Sequence, residues 1–323
     1  MNLQEAFEQG RVAGINSKPD RVIETLISKL YFFGDDVYKV YKYNKAFFGD
    51  FSDDRFRHEF YHNDFTWNNT MAPDIYLKLG YVKRDGDSFV EATHDTSEDY
   101  FILMKKIDDS QTLFNLIRNN NFKKEDLELV TAEMFARTEK LTEIKRTDMQ
   151  DLFDMSYVDL DLQNLESTRE WLYMTPDFIP KAEADSIIDK IKAFVGSYSY
   201  FKDFNNKGYL ASIDNHSGNI LFADNKVNFI DSMPPMRIWR IQSDAYSISR
   251  PATDLEVLAG KEYADAMFKK FEEVRNTQLD PKVRAYLQVV AALIQAPYMY
   301  VLKEIEFAQK FWDFAKAKVQ EIN

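Results

Sequence analysis

The stretch "SIDNHSGNILFADNKVNFIDSMPP", residues 212–235, gathers Asp214, Asn219 and Asp231 around two short apolar runs. "NILF" and "VNFID" flank the turn-forming "ADNK", so a hairpin would bring Asn219 and Asp231 together. Phosphoryl transfer needs such a set. One carboxylate orients the attacking hydroxyl and can take its proton. An asparagine and a second aspartate hold Mg²⁺ against nucleotide phosphates through hard oxygen ligands. An Asx-rich turn would give the same letters without any chemistry, so the weight rests on what stands upstream.

Three upstream segments supply what such a site needs, in the right order. "GDDVYKVYK" places Lys39 and Lys42 on a strand after a tight turn. The period of two puts them on opposite faces, so only one can face phosphates. A helix follows, with Asp53 as its cap and Phe56, Phe60, Phe65 and Met71 near helical spacing. It carries Glu59 and Asp64 as acidic partners for that lysine. "YFILMKKID" then reads as a buried strand running into a connector, where backbone groups around Met104 and Lys106 could bind adenine.

The elements that must position these residues fall into two classes. "RVIETLISKLYFFGDDVYKVYKY" predicts a strand pair turning at "GDD", and "DIYLKLGYVKRDGDSFVEA" a second pair turning at "RDGD". After Asp109 the pattern changes to long helices. "KKEDLELVTAEMFARTEKLTEI" lines up Leu127, Val130, Met134 and Leu141 on one face, and "KAEADSIIDKIKAFVGSY" reads likewise. After the hairpin, helix is expected over "DLEVLAGKEYADAMFKKFEEVRN" and over the whole run from "PKVRAYL" to the end. The expected fold is α+β and bilobal: a β-rich N-lobe at 1–107, a mainly helical C-lobe at 108–323, and a linker near 105–110.

With 323 residues, 45% of them hydrophobic and 15% aromatic, the chain can fill two cores. The absence of cysteine excludes disulfides, thiolate zinc sites and a cysteine nucleophile. A net charge of −12 disfavours a nucleic-acid surface. It is compatible with a cationic small substrate, although solubility alone would give the same sign. "MNLQEAFEQGRVAG" has no signal-peptide pattern, and "VVAALIQAPYMYVL" is too short and too interrupted to span a bilayer. A cytoplasmic protein without membrane partners is expected. Of His58, His62 and His94, the first two stand four apart on one helical face and could serve a divalent site. No third ligand is obvious, and a solvated helix surface is the simpler reading.

These segments resemble the aminoglycoside phosphotransferase-type branch of the protein-kinase-like fold, and most of all a bacterial subgroup of unassigned substrate. That subgroup carries an "IETHIS" segment, then "GD-aromatic-AYKIKKP", then a helix running into "LN..LAP.LYL". This chain has "IETLIS", "GDDVYKVYK" and "WNNTMAPDIYL". Its "YFILMKKIDDSQTL" resembles the subgroup's "YA..M" strand followed by "TL", and "SIDNHSGNI" resembles the "HGDLH..NI" loop. The resemblance spans roughly residues 22–255.

It implies ATP and Mg²⁺ as cofactors and a small-molecule hydroxyl as acceptor. Asp214 takes the place of the catalytic-loop aspartate. Asn219 and Asp231 take those of the metal ligands. Lys39 stands for the phosphate-pairing lysine, with Lys42 as runner-up, and Asp64 for its acidic partner, with Glu59 as alternative. His216 matches the second histidine of the loop. Asp254 resembles an aspartate that caps the next helix and braces the loop. The chain departs from the pattern at Ser212 and Ile213, which replace the loop's first His-Gly, and at Leu26. It has no glycine-rich phosphate loop, although Thr25 and Ser28 could contact phosphate there. Three readings stay open: a small-molecule kinase, favoured by retention of Asp214, Asn219 and Asp231; a pseudokinase-like nucleotide- or partner-binding module; and transfer of AMP in place of phosphate.

Overall fold

The computed structural model describes residues 1–15, 17–203, 209–210 and 214–322. Two compact units divide at Asp108/Asp109.

The first unit opens with helix α1 (Leu3–Gln9) and strands β1 (Arg21–Glu24), β2 (Ser28–Phe33) and β3 (Asp36–Tyr41). A two-residue ribbon, β4 (Lys45–Ala46) with β5 (Gly49–Asp50), leads into helix α2 (Asp54–Met71). Strands β6 (Tyr76–Asp85), β7 (Ser88–Glu91) and β8 (Asp99–Lys105) follow. Six of these strands form one antiparallel sheet in the order β1-β2-β3-β8-β6-β7. The expected strand pair at its start is in fact three strands. Thr25 and Ser28 close an extra turn: the Thr25 N–H donates to the Ser28 carbonyl (2.8 Å) and the Ser28 N–H to the Thr25 hydroxyl (2.9 Å). Gly34 turns β2 into β3 at φ 61°, a conformation that costs a residue with a Cβ.

Helix α1, which the sequence reading did not anticipate, is capped by Asn2 and Glu5 in a capping box. Its Leu3, Ala6 and Phe7 pack on Tyr31, Val40, Val82 and Phe89 of the sheet. Helix α2 begins where expected, the Asp53 carboxylate accepting the Phe56 N–H at 2.7 Å. Its buried stripe runs through Phe60, Tyr61, Asp64, Trp67 and Met71, while Phe56 and Phe65 are only half-buried. Arg57 anchors this helix to the sheet. One guanidinium nitrogen donates to the Asp99 carboxylate at the start of β8 (2.6 Å), another to the Tyr41 carbonyl at the end of β3 (3.0 Å).

The second unit is mainly helical. It runs through α3 (Leu113–Arg118), α4 (Lys124–Lys145), α5 (Gln150–Phe153), α6 (Tyr157–Leu172), α7 (Lys181–Ser197), α8 (Ser199–Asp203) and the short strand β9 (Tyr209–Leu210). The hairpin β10 (Ile220–Ala223) and β11 (Lys226–Phe229) and the short β12 (Ile241–Gln242), paired with β9, come next. Helices α9 (Asp244–Leu258), α10 (Lys261–Arg275), α11 (Pro281–Val301) and α12 (Ile305–Lys318) complete it. Two expected helical runs are each broken in two, at Gly260 (φ 142°) and at Lys303 (φ 67°), where left-handed backbone ends an α-helix. Helix α11 is buried on nearly every side, and Tyr286, Leu287 and Val289 are fully enclosed. Among the described residues no helix is long and apolar enough to cross a membrane.

Candidate active site

In the first unit, alternation along β3 turns Lys39 inward, and the α2 stripe turns Asp64 toward it. Their charged atoms lie 3.3 Å apart, with both side chains at or below 6% exposure. Asn68, one turn further along α2, donates to the other Asp64 oxygen at 2.7 Å, and the Tyr41 ring lies 5.2 Å from the Lys39 ammonium. Two charges taken this far out of water persist only as a well-bonded pair. The alternatives point elsewhere. Lys42 is half-buried and bonded to the carboxylate of the exposed Glu24 (2.7 Å) and to the Thr25 carbonyl (2.6 Å). Glu59 is exposed and pairs with Arg55.

Thr25 and Ser28 face each other across the β1–β2 turn, hydroxyl to hydroxyl at 2.8 Å. Met104 lies within the ladder, opposite Val37 and Tyr76. The Lys106 N–H donates to the Asp35 carbonyl at 2.8 Å. Lys106 therefore does not offer that N–H to a base while the bond holds, which narrows its expected part in binding adenine.

In the second unit, the site is built by local chain geometry. Asp224 and Asn225 both take positive φ, 52° and 59°, the requirement of a two-residue type I′ turn. The register Ile220–Phe229 follows, and the Ile230 N–H donates to the Asn219 carbonyl at 2.9 Å. The Asn219 side-chain amide then spans the two ends of the motif. It donates to the Asp214 carbonyl (2.9 Å) and to the Asp231 carbonyl (3.2 Å), so its oxygen is the atom that could ligate a metal. Asp231 is exposed and held at φ 45°. The donor set is one amide oxygen beside carboxylates, all hard oxygens of the kind Mg²⁺ takes.

Asp214 is half-buried. Burial pushes its carboxyl up to about 7, against the pull of the Arg250 cation and with the push of Asp231. His216 is buried and its Nδ1 accepts the Gly218 N–H at 3.1 Å. Burial, helped by Arg250, depresses it to about 3, so the ring is neutral and packs beside Tyr298. Asp254 accepts both the N–H and the hydroxyl of Ser217, each at 2.7 Å, and so braces the loop. It does this from inside α9, whose cap is Ser243, so the helix-capping role expected for it is incorrect. Ser212 and Ile213, the suspected departures, lie outside the described residues.

Sequence reasoning missed Arg250. It is 1% exposed and donates to the Ala291 carbonyl and the Gln295 side chain, both at 2.8 Å. Its charge acts on both Asp254 and Asp214. The available signal was its position four residues before Asp254 on one helix.

No family model and no curated protein matches this chain. Solved structures do. Choline kinase from Cryptosporidium parvum Iowa II superposes with a TM-score of 0.56 over 96% of this chain and 92% of its own, at 12% identity. Aminoglycoside phosphotransferase APH(2")-IIia, in complex with GDP and kanamycin, gives 0.55 over 98% and 97%, at 10% identity. A thermostable mutant of aminoglycoside phosphotransferase APH(4)-Ia, in a ternary complex with ADP and hygromycin B, gives 0.53 over 94% and 95%, at 11% identity. The sheet order, the Lys39–Asp64 pair, the loop and hairpin, and these likenesses agree: the chain has the protein-kinase-like fold in the form used by aminoglycoside phosphotransferases and choline kinase.

Proposed function

We propose that the chain is an ATP- and Mg²⁺-dependent phosphotransferase acting on a hydroxyl of a small molecule. The observation that carries this reading is the Asn219 amide, which spans the backbones of Asp214 and Asp231 and gathers three oxygen-bearing side chains at one hairpin. Asp214 orients the acceptor hydroxyl and takes its proton as the new bond forms; a carboxylate titrating near neutrality suits that task. Asn219 and Asp231 would hold Mg²⁺, which when bound neutralises charge on the phosphates. Lys39, kept in place by Asp64, pairs with the nucleotide phosphates. Arg250 and Asp254 set the loop's shape without touching the reacting atoms.

The small molecules held by neighbouring structures, kanamycin and hygromycin B, support an acceptor of that size. The net charge of −12 favours a cationic one. The competing reading, nucleotide binding without turnover, draws on Ser212 and Ile213 in place of the family's His-Gly.

Calorimetry tests the nucleotide. ATP with millimolar Mg²⁺ should bind and raise the melting temperature, because a ligand of the folded state alone shifts unfolding by mass action. Asp231→Asn should weaken the Mg²⁺-dependent part. Absence of binding by ATP or any other nucleotide would refute the site assignment.

A further inference from the structure

The chain has four histidines, and three of them meet in the first unit. His58 and His62 are one turn apart on α2. His94 opens the 3₁₀ turn His94–Thr96 between β7 and β8. One ring nitrogen from each lies within 4.8 Å of the others. The expectation that His58 and His62 lack a third ligand is thus overturned by a residue 32 positions beyond His62, which the sheet topology returns to the helix. We propose that His58, His62 and His94 form a binding site for a divalent transition-metal ion of the zinc type.

Three observations are compatible with a metal here. First, the Nε2 atoms of His58 and His94 face each other at 3.1 Å. Two imidazole nitrogens bound to one tetrahedral Zn²⁺ at about 2.0–2.1 Å stand roughly 3.3–3.4 Å apart. The His62 ring lies beside both, with centroids 4.5 Å from His58 and 5.3 Å from His94.

Second, His94 Nδ1 lies 3.0 Å from the Asp95 carboxylate. With Nδ1–H donated to that carboxylate, the Nε2 lone pair points at the cluster. An outer carboxylate of this kind fixes the tautomer and raises the basicity of a ligating histidine. Third, the frame is hydrogen-bonded on both sides. Thr93 and Thr96 bond each other at 2.9 Å around the turn, and the Ser97 hydroxyl donates to the His94 carbonyl at 2.8 Å. Arg57, next to His58, ties α2 to Asp99 at the start of β8.

The rings of Tyr81 and Tyr100 wall the cluster, with centroids 5.7 Å from His94 and 5.3 Å from His58 respectively. His94 remains exposed on the outer side, so water can supply the fourth position. Three neutral imidazoles suit zinc, nickel or copper and not Mg²⁺, which separates this site from the oxygen set of Asn219 and Asp231. Bound metal would clip α2 to the β7–β8 connection, two residues before Asp64.

The test uses chelator-stripped, tag-free protein without nucleotide. Titrated with ZnCl₂ in a calorimeter, it should take up one equivalent. With CoCl₂ it should show visible absorption of a low-coordinate site. His94→Gln and His58→Gln should each weaken Zn²⁺ at least about tenfold, and Asp95→Asn should cost about 10–100-fold as an outer-shell loss. All three positions are at least partly exposed, and far-UV circular dichroism checks that each variant folds. Absence of Zn²⁺ uptake by the parent protein overturns the proposal. So does uptake unchanged by both His58→Gln and His94→Gln, which would assign the metal to other ligands.

Discussion

The Lys39–Asp64 pair and the Asp214–Asp231 loop solve the same problem, holding charge out of water, in opposite ways. Lys39 and Asp64 are 25 residues apart and meet only because β3 and α2 each turn one face inward. Each compensates the other. Asp214, Asn219 and Asp231 are brought together by a two-residue turn and one side-chain amide, and the cationic charge acting on Asp214 comes from a distant helix. In the pair, cation and carboxylate are in direct contact; in the loop, burial outweighs the pull of Arg250 and leaves Asp214 near 7. A half-buried carboxylate held near 7 suits a group that must change protonation during a reaction. A balanced buried pair suits one that must only hold its place.

The largest effect should come from the cation that restrains the loop. Arg250→Ala removes the charge facing both Asp254 and Asp214 and the bonds to the Ala291 carbonyl and the Gln295 side chain on α11. Urea denaturation should show a loss of at least about 3–5 kcal/mol, the typical cost of stranding one buried charge. A loss below about 1 kcal/mol would mean the loop does not depend on it.

Next comes the balanced pair. Lys39→Ala strands one carboxylate, Asp64, and should cost up to about 3–5 kcal/mol. Combining Lys39→Met with Asp64→Asn should recover most of that stability while nucleotide affinity stays lost, because only charge balance is restored. If the double variant regains ATP binding, Lys39 is not the phosphate partner.

A smaller, pH-dependent effect belongs to Asp161 on α6. It is fully buried, accepts from the Tyr286 hydroxyl at 2.7 Å, and burial pushes it up to about 7. Its folded-state value lies above the unfolded one near 4. The native state therefore holds the extra proton between these values, and this group's contribution to stability falls as pH rises from about 4 to about 7. Asp161→Asn, which cannot ionise, should gain on the parent protein across that window and level off above it. Melting temperatures measured at several pH values would show this; a constant difference would contradict it.

The smallest effect should be Lys42→Ala. Its bond to Glu24 is at the surface, where such pairs contribute about 0–1 kcal/mol. Nucleotide affinity should not change. A large rise in the ATP dissociation constant would exchange the roles of Lys39 and Lys42.

What could be read from the sequence follows the same division. The hairpin was legible because its turn residues, Asp224 and Asn225, and its apolar arms are local signals. So was the start of α2, through Asp53. Helices α1 and α6 were not anticipated, and Thr25–Ser28 turns the chain through side-chain bonds that no spacing rule marks. Arg250 and the meeting of His94 with α2 were hidden for a common reason. Each depends on elements distant in sequence: the spacing of Arg250 to Asp254 is local, but its burial is set by partners on α11, and the third histidine has no local pattern. The role of Asp254 was half legible: the bracing of Ser217 is there, the capping is not.

The central claim is that Asp214 serves phosphoryl transfer. ATP consumption by the parent protein and by Asp214→Ala, followed against a panel of aminoglycosides, amino sugars, sugars and choline-like alcohols, tests it most directly. The account predicts an acceptor-dependent turnover that falls by about 10²–10⁴ in the variant while MgATP affinity is nearly unchanged. A parent protein that binds MgATP but turns over no faster than Asp214→Ala with any acceptor, or with none, would contradict it.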